Sequence, residues 1–501
     1  MLRKLRIALQ VVVMTSVTLL LLGASWSLST WLGWAAKIQF LPALMALDFG
    51  VLTCLIVLTL LLGRAYCSVI CPLGIMQDMF GWLGKKQKKN RYSHSKEKRW
   101  LRYGVWVVFV ICLIIGFAPV TTLLAPYSAY GRIVNTLFKP LYDLLQNGLA
   151  ALESGYESYM FSNVELWMRS VTTMTVALLT LVIVGLLAWK NGRTYCNTIC
   201  PVGTTLGIFS RFSLLKVRLD KEKCKNCGMC EKNCKASAID FRTGEIDYSR
   251  CVVCGDCIDK CKFDSLHYVP TWNRESLKRT GKRGEAEEQQ PHSEGRRAFL
   301  TGLAVAAGGA AMAQAKVKVD GGLAVIEDKK EPGRETKIVP AGAVSMKRMS
   351  KHCTACQLCV SNCPNNVLRP DSDLLRLMQP YMSFERGYCR PECTRCSEVC
   401  PTGAIQRITR EDKTAIHIGH AVWLEENCIA MQEGVSCNSC ERHCPAGAIT
   451  MVEREGKDGN TVRTPVVSQW LCIGCGACEN MCPSRPYPGI YVEGNEVHKA
   501  E

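Results

Sequence analysis

Long apolar runs crowd the first 210 residues, while polar and cysteine-rich segments fill the rest. Four runs, at residues 7–24, 41–63, 103–118 and 171–189, are apolar over the length of a membrane helix. Crossing a bilayer as a helix takes roughly 17–25 such residues. The pattern therefore predicts an α-helical membrane domain of four spans over residues 1–210. The first run follows Arg3, Lys4 and Arg6, as a signal peptide would, but three further spans after it favour an uncleaved anchor.

Flanking charge orients these spans. Lys85, Lys86, Lys88, Lys89, Arg91, Lys96, Lys98 and Arg99 lie between the second and third runs. Lys37 alone lies between the first and second, and Arg132, Lys139 and Arg169 between the third and fourth. Basic loops stay inside, which puts the N-terminus and the residues after Lys190 in the cytoplasm of a bacterial inner-membrane protein.

A second apolar feature follows a polar linker. Residues 271–295 carry Lys282, Arg283, Glu285, Glu287 and Glu288 and read as solvated. Then Arg296-Arg297-Ala298-Phe299-Leu300 leads into an alanine- and glycine-rich run ending at Ala315. Twin arginines before a weakly apolar stretch match a twin-arginine export signal, with Ala313-Gln314-Ala315 as a small-residue cleavage site. An ordinary fifth span gives the same topology. Both place residues 321–501 outside, in the periplasm; a segment too weakly apolar to cross leaves them inside.

Cysteine spacing changes the picture from an anchor to a redox protein. The chain has 30 cysteines in 501 residues, in tight clusters. Clustering on so long a chain argues against a disulfide scaffold. Residues 211–270 hold two runs of Cys-x2-Cys-x2-Cys-x3-Cys: Cys224, Cys227, Cys230, Cys234 and Cys251, Cys254, Cys257, Cys261. Such runs give three thiolates to one [4Fe-4S] cluster and the fourth to its neighbour. Crossed pairing predicts clusters on Cys224, Cys227, Cys230, Cys261 and on Cys251, Cys254, Cys257, Cys234. Zinc sites seldom use a third cysteine at this interval. The proline usual after the fourth cysteine is replaced by Lys235 and Lys262.

Four more sets follow. Two are regular, Cys353, Cys356, Cys359, Cys363 and Cys472, Cys475, Cys478, Cys482. Two have lengthened first intervals, Cys389, Cys393, Cys396, Cys400 and Cys428, Cys437, Cys440, Cys444. All four end in Cys-Pro, and Gly-Ala-Ile recurs at Gly403 and Gly447, the mark of duplicated units. The expectation is α+β ferredoxin-like domains holding six clusters, two in the cytoplasm and four outside. Such units are held together partly by their metal.

A further repeat sits at the predicted cytoplasmic ends of spans two and four. Gly63-Arg64-x-Tyr66-Cys67-x2-Ile70-Cys71-Pro72-x-Gly74 matches Gly192-Arg193-x-Tyr195-Cys196-x2-Ile199-Cys200-Pro201-x-Gly203. Each Cys-x3-Cys pair is expected on one helical face, and two pairs could supply four thiolates to an additional metal site. A redox-active or structural pair at a turn is the alternative. Cys54 and Cys112, single in apolar spans, read as small core residues.

With these motifs in view, residues 1–270 resemble the NapH-type membrane quinol dehydrogenase ferredoxins. Residues from about 290 resemble the NapG-type exported four-cluster ferredoxins, through Arg296-Arg297 and the four C-terminal sets. The chain thus resembles a fusion of the two. The resemblance implies oxidation of membrane quinol and electron delivery to a periplasmic reductase of the nitrate reductase type, or to a c-type cytochrome. It also implies that the C-terminal sets pair first with last and second with third. That gives clusters on Cys353, Cys356, Cys359, Cys482; on Cys472, Cys475, Cys478, Cys363; on Cys389, Cys393, Cys396, Cys444; and on Cys428, Cys437, Cys440, Cys400.

Quinol oxidation needs a proton acceptor, and Asp48 is the one acid in or beside an apolar run. An acid there is a functional candidate, or simply an interfacial residue. No span contains histidine and no Cys-x-x-Cys-His occurs, which excludes bis-histidine haem b and covalent haem c. No glycine-rich dinucleotide fingerprint accompanies a strand–helix unit, so NAD is not expected. The net charge of +17 concentrates beside apolar segments and in linkers, as at an anionic membrane face, and not as a nucleic-acid surface. Two other readings stand: a relay subunit whose partner binds quinol, and a redox assembly factor like the membrane ferredoxin that helps build cytochrome oxidase. The β-sandwich that ends that family is not expected here.

Overall fold

The computed structural model describes residues 2–88, 92–153, 164, 170–271, 327–456 and 459–500. The twin-arginine motif, the apolar run to Ala315 and nearly all of the linker lie outside the described residues. Four helices form the central bundle: α1 (Leu2–Leu22), α2 (Phe49–Leu62), α5 (Arg99–Ile115) and α7 (Val171–Asn191). Between them run α3 (Ala65–Val69), α4 (Pro72–Lys88) and α6 (Pro126–Ile133), and α8 (Thr194–Thr198) and α9 (Pro201–Ser210) follow α7.

Among the described residues two helices, α1 and α7, are long and apolar enough to cross a membrane. At 1.5 Å per residue, 21 residues reach about 31 Å, close to a bilayer core of about 30 Å. The other two expected spans come out shorter. The run 41–63 is broken: a short helix ends at Met45, Leu47 takes a left-handed φ of 55°, and Asp48 restarts the chain as the N-cap of the 14-residue α2. The third run forms the 17-residue α5, stopped by Gly116 at φ 82°. Hydropathy alone carries no trace of these breaks, because capping and left-handed turns are local backbone events inside an apolar sequence.

Residues 214–271 sit on one end of the bundle. The Leu214 amide donates to the Leu60 carbonyl (2.7 Å), Tyr268 to Leu62 O (2.9 Å), and the Arg193 amide to Lys235 O (2.8 Å). Arg3 pairs with Asp256 (3.2 Å), and Arg102 donates to Ser249 Oγ (2.9 Å). In this unit β1 (Leu215–Leu219) pairs antiparallel with β2 (Leu266–Pro270).

Residues 327–500 sit on the opposite end. Asn362 accepts from Ser29 Oγ (2.7 Å) and donates to Leu20 O at the end of α1 (3.4 Å), and Asn135 donates to Gln357 Oε1 (3.0 Å). This unit pairs its strands in twos among the described residues. They include β3 (Ile416–Trp423) with β6 (Ile490–Ala500), and the hairpin of β4 (Ile449–Glu455) and β5 (Thr461–Val467).

The second docking surface is tight. A Cβ on Gly131 of α6 would lie 2.3 Å from the Cys356 carbonyl oxygen. Gly131→Ala is therefore expected to destabilise the docked assembly by about 1–3 kcal/mol, the usual cost of overpacking. A lowered thermal midpoint of the purified chain would register it; an unchanged midpoint would mean that the two surfaces do not meet this closely.

Candidate iron–sulfur sites

Each cysteine run is built on the same local frame. The third cysteine sits on a helix of four or five residues, as Cys230 does on Met229–Asn233 and Cys478 on Ala477–Met481, and the fourth follows its end. In the regular runs two left-handed residues, two positions apart, wrap the loop before that helix. They are Asn226 and Gly228, Val253 and Gly255, Ala355 and Gln357, and Gly474 and Gly476. Glycine adopts this conformation freely, whereas Val253 and Gln357 hold it at a cost of about 1–3 kcal/mol each. Strain of this kind gathers at functional loops.

The thiols surround cavities instead of closing on a point. Among the described residues, no three His, Cys, Asp or Glu side chains converge as a single metal ion requires. Cys224, Cys227, Cys230 and Cys261 line one cavity. Cys234 stands near enough to Cys251, Cys254 and Cys257 to act electrostatically on each. In this unit the structure brings together the crossed sets that spacing predicts.

In the C-terminal unit the partners differ from expectation. Cys363 shares a cavity with Cys389, Cys393 and Cys396, and Cys400 acts on Cys353, Cys356 and Cys359. Cys444 lines a cavity with Cys472, Cys475 and Cys478, and Cys482 lines another with Cys428, Cys437 and Cys440. The first set thus exchanges its fourth cysteine with the second, and the third with the fourth. The expected sets that joined Cys482 to Cys353, Cys363 to Cys472, Cys444 to Cys389 and Cys400 to Cys428 are corrected accordingly. Neighbouring sets close shorter loops, which costs less chain entropy.

Donors aimed at sulfur suit these cavities to an anionic cluster. Backbone amides point at the fourth cysteines: Ala238 N to Cys234 Sγ (3.4 Å), Ser265 N to Cys261 (3.4 Å), Ile405 N to Cys400 (3.5 Å), Ala448 N to Cys444 (3.3 Å) and Gly489 N to Cys482 (3.2 Å). Such bonds stabilise thiolate and raise a cluster's reduction potential. Without iron, burial pushes the Cys254 thiol up to about 11 and that of Cys356 to about 12, so ligation displaces protons.

Sequence reasoning missed Lys413. It is buried, donates to the carbonyls of Arg390 and Cys393, and lies beside Cys389. A buried ammonium there favours the reduced, more negative state of a cluster in that cavity. Lys413→Met is expected to lower that one midpoint by on the order of 50 mV, the scale of one charge acting through an effective dielectric of about 20. A redox titration followed by EPR measures it, and six unmoved midpoints would refute the role. Its only sequence signal was a lysine within an otherwise polar helix.

The two Cys-x3-Cys pairs also converge. Cys71 is influenced by Cys67 and Cys196, and Cys200 by Cys196, Cys71 and Cys67; all four are buried. Each pair does not share one helical face. Cys67 and Cys196 lie on α3 and α8, the chain turns, and Cys71 and Cys200 precede α4 and α9. Proline at the first position of each following helix enforces that restart. Gly74 and Gly203 make the turn possible, since a Cβ would lie 2.5 Å from Cys67 O and 2.3 Å from Cys196 O.

Asp48 and the single cysteines join none of these sites. Asp48 is exposed and accepts from the Val51 amide (3.2 Å), a capping role that by itself explains an acid at this position. Cys54 is exposed on α2 instead of lying in a core, and Cys112 is half-buried. Asp78, a second residue that sequence reasoning passed over, binds Arg193 (2.7 Å) and Lys235 (2.8 Å) beside the four thiols.

Comparison with known proteins agrees with this chemistry. A family described as "4Fe-4S binding domain" matches residues 45–90 and 172–221, and a "4Fe-4S dicluster domain" matches 352–404 and 435–485. The first dicluster match contains two neighbouring cysteine sets, and the second contains Cys437, Cys440 and Cys444 together with the whole set Cys472–Cys482. The methylamine utilization ferredoxin-type protein MauM of Methylobacillus flagellatus is 30% identical over 165 residues, 32% of this chain and 70% of that protein. MauN of Paracoccus denitrificans is 29% identical over 175 residues, 34% of this chain and 48% of that protein. The ferredoxin-type protein NapH of Haemophilus influenzae is 25% identical over 178 residues, 35% of this chain and 49% of that protein. The chain thus spans about half the length of the NapH and MauN relatives. No solved structure matches.

Proposed function

Since this chain belongs to the ferredoxin-type family that includes MauM and is an iron–sulfur electron-transfer protein, we propose that it carries electrons from membrane quinol to an acceptor across the membrane. The acceptor is a periplasmic reductase, of the nitrate reductase type, or a c-type cytochrome. Quinol oxidation gives quinone, two electrons and two protons, the protons leaving to water at the membrane face. Six bound [4Fe-4S] clusters supply the one-electron carriers.

One observation carries the reading: cysteine units occupy opposite ends of a bundle whose helices α1 and α7 match a bilayer in length. In the proposed topology the N-terminus and residues 211–270 are cytoplasmic. The twin-arginine machinery exports residues 321–501 already folded, in a NapH–NapG-like fusion. The chain's own groups have defined work in this scheme. Thiolates hold the clusters, amides aimed at Cys234, Cys261 and Cys444 stabilise their charge, and Lys413 raises one potential.

Adding a menaquinol analogue to the purified chain, followed by EPR, tests this. The expected result is reduction of at least one [4Fe-4S] signal in the chain alone. Silence, with dithionite still reducing the clusters, would favour the second reading, a relay subunit whose partner oxidises quinol.

A further inference from the structure

We propose that Cys67, Cys71, Cys196 and Cys200 together hold a seventh iron–sulfur centre, shared between the two repeats, which links the cluster groups at the two ends of the bundle. The proposal rests on the reading of the chain as an iron–sulfur electron carrier and deepens it.

Symmetry is the first argument. Each repeat contributes two buried thiols, a buried arginine and a buried tyrosine to one place. Arg64 reaches across to Cys196 O (3.2 Å) and toward Cys67 Sγ (3.7 Å), while Arg193 donates to Cys67 O (2.5 Å). Further donors point at sulfur, from Gln77 Nε2 to Cys196 Sγ (3.2 Å) and from the Gly203 amide to Cys200 Sγ (3.4 Å). This is the same amide-to-sulfur pattern that surrounds the ferredoxin cavities.

Charge is the second argument, and it is independent of the first. Position 78 breaks the repeat: Asp78 in one half corresponds to Gly207 in the other. Arg193 is neutralised by Asp78. Arg64, equally buried, donates to Asn197 Oδ1 (2.9 Å) and Ser249 O (2.8 Å), and among the described residues no carboxylate pairs with it. Arg102 occupies the space that Gly207 leaves and stands close to Arg64. A buried guanidinium without a counter-charge is costly. Four neutral thiols would not offset it, whereas an iron–sulfur core bound by four thiolates is a net anion and would. Loading the site exchanges thiol protons for iron, and its redox step moves one electron between ferric and ferrous iron with no change of ligand.

Position is the third argument. On one side Arg64 binds Ser249 O, two residues before Cys251, and acts on that thiol. On the other, Tyr195 donates to Leu124 O (3.2 Å), and one turn on, the buried Tyr127 lies beside Cys356 and Cys400. The four thiols therefore stand between the nearest cysteine set at each end. Electron transfer falls off steeply with distance, and a bundle of about 31 Å needs an intermediate stop.

Iron and acid-labile sulfide per chain, with EPR of the full-length protein in detergent, test the proposal. Six sets of four give about 24 irons; the seventh centre predicts about 26 to 28. Cys67→Ala with Cys196→Ala should lose the excess iron and one paramagnetic species while keeping the six ferredoxin signals. The control pair Cys54→Ala with Cys112→Ala should lose nothing. About 24 irons in the unaltered chain, zinc in place of the excess iron, or no loss in the Cys67/Cys196 variant would overturn the proposal. Should that variant not fold, the iron count of the unaltered chain decides alone. Absence of the six ferredoxin signals themselves would overturn the electron-carrier reading instead, and this proposal with it.

Discussion

Stripping iron from the purified chain should unfold its two cysteine-rich units and leave the helical bundle folded. The C-terminal unit shows why. Its strands pair only in twos among the described residues, and its cysteine-bearing helices are four or five residues long. Neither element is stable by itself in water. Cysteines fill the core where larger apolar side chains would stand: Cys356, Cys359, Cys440, Cys472, Cys478 and Cys482 are all buried. Metal ligation then supplies folding free energy, on the order of 10 kcal/mol for a structural site. Because burial raises thiols such as Cys254 and Cys356, protons compete with iron, and loss should accelerate as pH falls. Visible absorbance should vanish together with protease resistance in residues 214–271 and 327–500, while the helical circular dichroism of the bundle persists. Iron-free chain that keeps its protease resistance would sink this account.

Asp78→Asn should be the most damaging single substitution outside the cysteines. One carboxylate ties four elements together: α4, the start of α1 through Arg6 (3.9 Å), the end of α7 through Arg193, and residues 214–271 through Lys235. Burial pushes its carboxyl up, but Arg193 and Lys235 outweigh that and hold it well below the usual carboxylate range. Asparagine keeps the shape but strands the buried Arg193, while Lys235 and Arg6 retain Asp256 (3.2 and 3.5 Å); the loss is about 3–5 kcal/mol. A depressed folded pKa gives stability that is complete above the unfolded value of about 3.9. That stability drains away as pH falls from there toward the folded value. The wild-type chain should therefore show a steeper fall in thermal midpoint below about pH 4 than the variant, in which this one contribution is gone while the others, acid loss of iron included, remain. Equal midpoints at neutral pH would refute the hub.

Some of this was legible in the residues. The runs at 7–24 and 171–189 coincide with α1 and α7, because a long unbroken apolar stretch has few other solutions. Local spacing identified every cysteine set, since ligand geometry demands it. The runs at 41–63 and 103–118 give shorter helices than their apolar length suggests, because Leu47, Asp48 and Gly116 interrupt or end them through backbone conformation, to which an average over apolar residues is blind. Lys413 and Asp78 escaped notice because a charge acquires its role from partners far along the chain.

Sequence by itself determined the cysteine sets, the crossed exchange between Cys234 and Cys261, and the duplicated Cys-x3-Cys-Pro unit, all matters of local spacing. Tertiary structure decided which fourth cysteine serves which C-terminal set, placed the two cysteine units at opposite ends of the bundle, and brought Cys67, Cys71, Cys196 and Cys200 together. The physical reason is the same in each case. A run of thiols announces what it can bind over a dozen residues, but which run faces which depends on loop closure and on the packing of helices more than a hundred residues apart.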